Sequence, residues 1–169
     1  MKKLILFISM VMMNVVMARS TLVSPSLIQQ VIFDVNGVLV HKKGPGKVRM
    51  IDDAMIELVD SLRRLGIKTY ILSNMSKRTY DTLSKNNQLF EHFDGVACSF
   101  KTGVAKPDVA SFLALCTEYK LDPKACIFID DTLGHVVAAR KLGMHGIDFT
   151  SASDCLKQLQ VLIPSLQPS

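Results

Sequence analysis

Residues 30–37 read Gln-Val-Ile-Phe-Asp-Val-Asn-Gly, and their reading decides the fold. Val31, Ile32 and Phe33 follow one another with neither helical nor alternating period. So short an apolar run fits a strand buried on both faces, and such strands belong to parallel sheets covered by helices on each side. The strand closes on a carboxylate, Asp34. Two residues later stands Asn36, at a place where a second acid would make chemical sense.

Outward from this stretch the pattern repeats. Lys68–Asn74 (KTYILSN), Asp94–Phe100 (DGVACSF), Ala125–Asp130 (ACIFID) and His145–Thr150 (HGIDFT) read as the second to fifth strands. Between them lie helical patterns. Over 50–66, Met55, Leu58, Val59, Leu62 and Leu65 recur at helical spacing and Gly66 stops the run. Further helices are predicted over 76–86 with Ser76 as N-cap, over 106–121 with Pro107 near the first turn, over 133–143, and over 151–163. No Pro/Gly/Ser-rich linker interrupts this order. It predicts an α/β fold, a Rossmann-like three-layer sandwich with a central parallel sheet of about five strands, in a single domain over 19–169.

The first residues differ in kind. Lys2 and Lys3 precede an apolar run from Leu4 to Met17, and Val16-Met17-Ala18 fits a signal-peptidase site that would leave Arg19 first. Residues 1–18 thus resemble a secretory signal. They predict an exported chain, periplasmic or secreted, that stays membrane-anchored only if the signal is not cleaved. The remaining chain holds no stretch long enough for a stable span. The whole chain carries a net charge of +5 over 169 residues, and loss of the leader removes Lys2 and Lys3. That mild balance, without an Arg/Lys stripe, gives no expectation of nucleic-acid binding. The four cysteines show no C-x-x-C spacing, which argues against zinc, and Cys98 and Cys126 sit in strand-like runs as free thiols would.

In an open parallel sheet, ligands bind beyond the carboxyl ends of the strands. There the sequence collects Asp34 and Asn36 after the first strand, Ser73 and Asn74 after the second, Lys106 after the third, and Asp130 and Asp131 after the fourth. Each alone could be a cap or a turn. Together they make a coherent site. Neighbouring carboxylates repel unless a cation joins them, so Asp34 and Asp131 are natural ligands of Mg²⁺. Lys106 would balance the remaining charge. Ser73 and Asn74 can donate hydrogen bonds to phosphate oxygens, and a carboxylate beside such a phosphate can attack it and form an aspartyl-phosphate.

These motifs, in this order, resemble those of the haloacid dehalogenase-like (HAD) hydrolase superfamily, nearest its phosphoglycolate-phosphatase-like branch. Phe33–Leu39 (FDVNGVL) resembles the first motif, Tyr70–Asn74 (YILSN) the second, Lys106–Phe112 (KPDVASF) the third, and Phe128–Ile147 the fourth with its following helix and strand. The resemblance covers roughly 30–150. It implies that Asp34 is the nucleophile, that the Asn36 main-chain carbonyl joins Asp34 and Asp131 around Mg²⁺, that Ser73 and Asn74 bind phosphate, that Lys106 stabilises the transferring group, and that Asp130 supports Asp131.

Two features depart from that family. Asn36 stands where it places a general acid, and an amide neither gives nor takes a proton near neutral pH. Only residues 40–67 separate the first two motifs, and a helix takes most of them, so no cap domain is expected. The remainder, 41–50, reads as a basic flap around Gly44-Pro45-Gly46, with Lys42, Lys43, Lys47 and Arg49. An uncapped site would take a large phosphorylated substrate, or a small one under a partner subunit of a homo-oligomer. The reading is thus a Mg²⁺-dependent phosphatase working through an aspartyl-phosphate, slowed by Asn36. The alternative is a non-catalytic module of the same fold that binds a phosphorylated ligand or a protein partner.

Overall fold

The computed structural model describes residues 28–43 and 48–167. The expected leader over 1–18, the flap's turn and Lys47 lie outside the described residues, as do the side chains of Lys43 and Arg49.

Five strands form one parallel sheet: β1 (Gln30–Phe33), β4 (Lys68–Ser73), β5 (Gly95–Cys98), β6 (Cys126–Asp130) and β7 (His145–Asp148), in the order β5-β4-β1-β6-β7. The chain builds outward from β1 through β4 to β5, then crosses to build β6 and β7 on the other side. That reversal opens a crevice beside β1, where ligands of such sheets bind. Register then sets the rim. Phe33 is level with Ile129, so Asp34 and Asp130 are the next residues of two adjacent strands.

The apolar run that marked β1 is explained by its two neighbouring layers. Val31 and Phe33 face one core with α1 (Asp53–Arg64), α2 (Lys77–Asn87) and α6 (Ala152–Leu162), through Leu58, Leu62, Leu83 and Leu159. Ile32 faces the other with α4 (Val109–Tyr119) and α5 (Leu133–Lys141), through Phe112, Leu115 and Ala139. Full burial of such side chains is worth about 1.5–3 kcal/mol each, enough to fix the register and with it the rim. The one-turn helix α3 (Ser99–Thr102) follows β5. All four cysteines are buried free thiols, and burial pushes Cys126 and Cys155 up to about 12.

Several boundaries differ from expectation. Met50 and Ile51 belong to β3 (Val48–Ile51), which pairs antiparallel with β2 (Val40–Lys43), and α1 starts only after its N-cap Asp52. Pairing across the hairpin outcompetes helical propensity at 50–51. The helix expected over 106–121, α4, starts only after its N-cap Asp108, because the Asp108 side chain accepts from Ala110 N–H; Lys106 and Pro107 therefore precede it. Between β1 and β4 the described residues hold only the β2–β3 hairpin and α1, so no cap domain stands there. Among the described residues no helix is long and apolar enough to cross a membrane.

Candidate active site

Three strand ends and one loop bring the predicted residues together. Asp34 follows β1, Ser73 ends β4, Asp130 ends β6, and Lys106 reaches in from the loop before α4. Lys106 Nζ donates to Asp34 Oδ1 at 2.8 Å and to Asp130 Oδ2 at 2.6 Å. All three residues are buried, Asp130 completely. One cation between two desolvated carboxylates leaves the cluster with excess negative charge. Burial pushes the Asp34 carboxyl above its ordinary value; Lys106 pulls it down and the Asp130 charge pushes it up again, and the upward effects prevail.

The backbone places Lys106 as firmly as its ammonium is placed. Asn74 Nδ2 donates to the Lys106 carbonyl at 2.8 Å, and Lys106 N–H donates to Asn74 Oδ1 at 2.9 Å. Asn74 thus ties the loop after β4 to the lysine loop, and its Nδ2 carries a second hydrogen that can meet an oxygen of a ligand. Ser73 Oγ is buried and has no hydrogen-bond partner among the described residues. An orphan hydroxyl costs about 1–3 kcal/mol, which a ligand oxygen would restore.

The cation-site residues also meet. Oxygens of Asp34, Asp130 and Asp131 lie within 4.8 Å of one another. They are not equivalent. Asp130 accepts from Lys106 Nζ and from Thr132 N–H at 2.9 Å and has His135 Nδ1 3.0 Å away, whereas Asp131 is exposed and meets Thr132 Oγ1 at 3.3 Å. Asp34 and Asp131 therefore keep oxygens for a metal, and Asp130 is their support. Around Asn36 the loop closes through Val40 N–H to the Val35 carbonyl and Gly37 N–H to the Val40 carbonyl, which leaves the Asn36 carbonyl outside that pairing. A Cβ at Gly37 would lie 1.9 Å from Asp131 Oδ2, so only glycine lets the first loop approach this carboxylate. Hard oxygen donors of this kind suit Mg²⁺.

His135 was not among the residues expected from the sequence. Its signal was its place in the first turn of α5, five residues after Asp130, where nothing apolar required it. His41, near the missing acid in sequence, has its Nε2 3.2 Å from Asp52 Oδ2 at the base of the hairpin.

Comparisons with known proteins bear on the family and the fold. The haloacid dehalogenase-like hydrolase family model matches residues 45–143, which include Ser73, Asn74, Lys106, Asp130 and Asp131 but start after Asp34 and Asn36. A sesquiterpene phosphatase from Aspergillus oryzae is 27% identical over 112 residues, covering 66% of this chain and 57% of the relative. A flavin mononucleotide hydrolase from Arabidopsis thaliana is 29% identical over 110 residues, covering 65% and 44%. The chain thus spans less than two thirds of the length of either relative. A HAD family enzyme from Bacteroides thetaiotaomicron, solved with magnesium and inorganic phosphate, shares the fold with a TM-score of 0.66 at 18% identity, over 73% of this chain and 94% of that one.

Proposed function

The chain belongs to the haloacid dehalogenase-like hydrolase family, and we propose that it is a Mg²⁺-dependent phosphatase working through an aspartyl-phosphate on Asp34. One observation carries this reading: a buried, desolvated carboxylate is held by Lys106 beside a strand end that offers the unpartnered Ser73 hydroxyl. The phosphatase and hydrolase names of the two relatives support it, as does the magnesium and phosphate bound by the structural neighbour.

Asp34 attacks phosphorus in line and the ester oxygen leaves. Lys106, Ser73 Oγ and the second Asn74 N–H hold the equatorial oxygens, where charge accumulates in the transition state. Asp34, Asp131 and the Asn36 carbonyl are the residues that would hold Mg²⁺, which supplies charge neutralisation for nucleophile and phosphoryl group together. Water then cleaves the acyl phosphate and releases Asp34. Asn36 cannot protonate the leaving oxygen, so aryl and acyl phosphates, which leave unprotonated, suit this site better than alkyl phosphates. With no cap between β1 and β4, the rim admits a phosphate carried on a large molecule, or a small one covered by a second subunit. The same Asn36 favours a second reading, a binding module that holds a phosphorylated ligand without turning it over.

The deciding experiment is hydrolysis of an aryl phosphate with and without Mg²⁺, alongside thermal melts. Mg²⁺ should raise both rate and melting temperature, and Asp131→Ala should remove both effects. A Mg²⁺-induced melting shift without turnover would select the binding module. An unchanged Mg²⁺ response in Asp131→Ala would take Asp131 out of the site.

A further inference from the structure

The buried cluster has a fourth member that the reaction above does not use. His135 Nδ1 lies 3.0 Å from Oδ2 and 3.1 Å from Oδ1 of Asp130, nearly equidistant from both oxygens. An ionised carboxylate can only accept, so Nδ1 must carry the proton. The Asp130 side chain is wholly buried, and its two other donors are fixed elsewhere: Thr132 N–H by the start of α5, Lys106 Nζ by its loop. The terminal torsion of an aspartate is broad and roughly two-fold, so the carboxylate plane is set by its partners and not by its rotamer. Lys106, on a flexible four-carbon stem, is in turn set by its two acceptors, Asp34 and Asp130.

We propose that His135 is a positioning residue: its Nδ1–H fixes the plane of the Asp130 carboxylate and thereby holds the Lys106 ammonium against Asp34. This rests on the phosphatase reading of the site only in its effect on rate. The relay itself is a matter of geometry. Without the imidazole proton, Asp130 can turn towards Thr132 alone, and Lys106 loses the acceptor that opposes Asp34. A misplacement of about 1 Å at an attacking carboxylate can cost about 10²-fold in rate.

Two substitutions separate the donor from the bulk. His135→Asn keeps an N–H close to where Nδ1 stands but removes most of the ring. His135→Leu keeps volume but has no donor. With an aryl phosphate and saturating Mg²⁺, His135→Leu should lose about tenfold or more in kcat with KM changed less than about threefold, and His135→Asn should stay within about threefold of wild type. Equal losses in the two variants, or a smaller loss in His135→Leu, would overturn the proposal. Ring ¹⁵N–¹H correlation spectra of the wild-type protein read the same claim without activity. They should show a proton on Nδ1, which a free neutral imidazole prefers to carry on Nε2, and the Asp130→Asn protein should lose that preference. An unprotonated Nδ1 in the wild type would overturn the proposal even if neither variant folds. If the wild type turns over no phosphate, the phosphatase reading falls while the spectra still decide the relay.

Discussion

The two ends of the same sheet use the same kinds of side chain to opposite effect. At the amino end, Lys68 Nζ meets Asp94 Oδ1 at 2.8 Å, Thr69 N–H donates to Asp94 Oδ2 at 2.9 Å, and His92 meets Asp60 at 3.1 Å. At the carboxyl end, Lys106 meets Asp34 at 2.8 Å and His135 meets Asp130 at 3.0 Å. The distances match, but the surroundings do not. The Lys68 side chain is 62% exposed and that of Lys106 is 1% exposed. Burial alone would raise Asp94, yet its bonds to Lys68 and Thr69 outweigh it and the carboxyl ends below its ordinary value. At Asp34 burial outweighs the lysine and the carboxyl ends above it. An ion pair is therefore a poor guide to stability until desolvation is counted. The fold therefore favours the Asp94 charge and disfavours the Asp34 charge.

The sharpest way to break this contrast is Asp34→Asn. It should abolish aspartyl-phosphate formation and lower turnover by about 10³-fold or more, as loss of a nucleophile does. It should also raise the melting temperature of the metal-free protein, since it removes a desolvated charge while Asp130 still holds Lys106. A lower melting temperature would mean that the carboxyl end stabilises the fold after all.

Next in size is Asn36→Asp, which tests whether the carboxyl end lacks only its acid. Turnover of an alkyl phosphate should rise by up to about 10²-fold, the lower end of what acid–base help provides. An aryl phosphate, whose leaving group needs no proton, should gain less. Added repulsion beside Asp34 works against the gain. Equal gains on both substrates would show that the missing acid is not what limits the site.

The two ends also differed in how far the sequence disclosed them. The carboxyl rim was legible because apolar strands buried on both faces stand out, and a polar residue that ends one, such as Asp34, Ser73 or Asp130, has to face the crevice. Asp130's part was less legible. Beside Asp131 it read as a neighbour, and only the parallel register of β1 and β6 makes it the partner of Lys106. His135 escaped because its contact spans a strand end and a helix turn, which no single periodicity describes. The amino end went unread: Lys68 and Asp94 are 26 residues apart, and nothing in either local pattern pairs them. The hairpin's claim on Met50 and Ile51 was hidden for the same reason, since pairing with His41 and Val40 is not a local property.

A smaller effect sharpens the other side. Asp94→Asn should leave kcat and KM unchanged and destabilise the fold by at most about 1 kcal/mol, because the amide oxygen still accepts from Thr69 N–H, more weakly than a carboxylate, and the Lys68 partner is solvated. Urea unfolding measures it. A loss of activity larger than the loss of folded protein would show that the two ends are coupled through β4 and β5.

The smallest effect is a difference in where two curves bend. For Asp94 the folded carboxyl titrates below the unfolded value near 3.8, so its contribution is full above that value and is lost as pH falls through the lower folded one. Asp94→Asn should therefore be less stable than wild type at neutral pH, and the gap should close only below about pH 4. For Asp34 the sign is reversed. Its folded carboxyl titrates above 3.8, so the cost of ionising it in the fold is full above the raised value and gone below the unfolded one. Asp34→Asn should be more stable than metal-free wild type at neutral pH, and that gap should start to close at a higher pH than the Asp94 gap. Urea melts of the three proteins between about pH 3 and 7, without divalent metal, resolve the order. Saturating Mg²⁺ should shrink the Asp34→Asn advantage and leave the Asp94→Asn deficit alone, because the metal adds the attraction that burial denies to Asp34. If the two gaps closed together, or if Mg²⁺ moved both, desolvation would not be what distinguishes the two ends of the sheet.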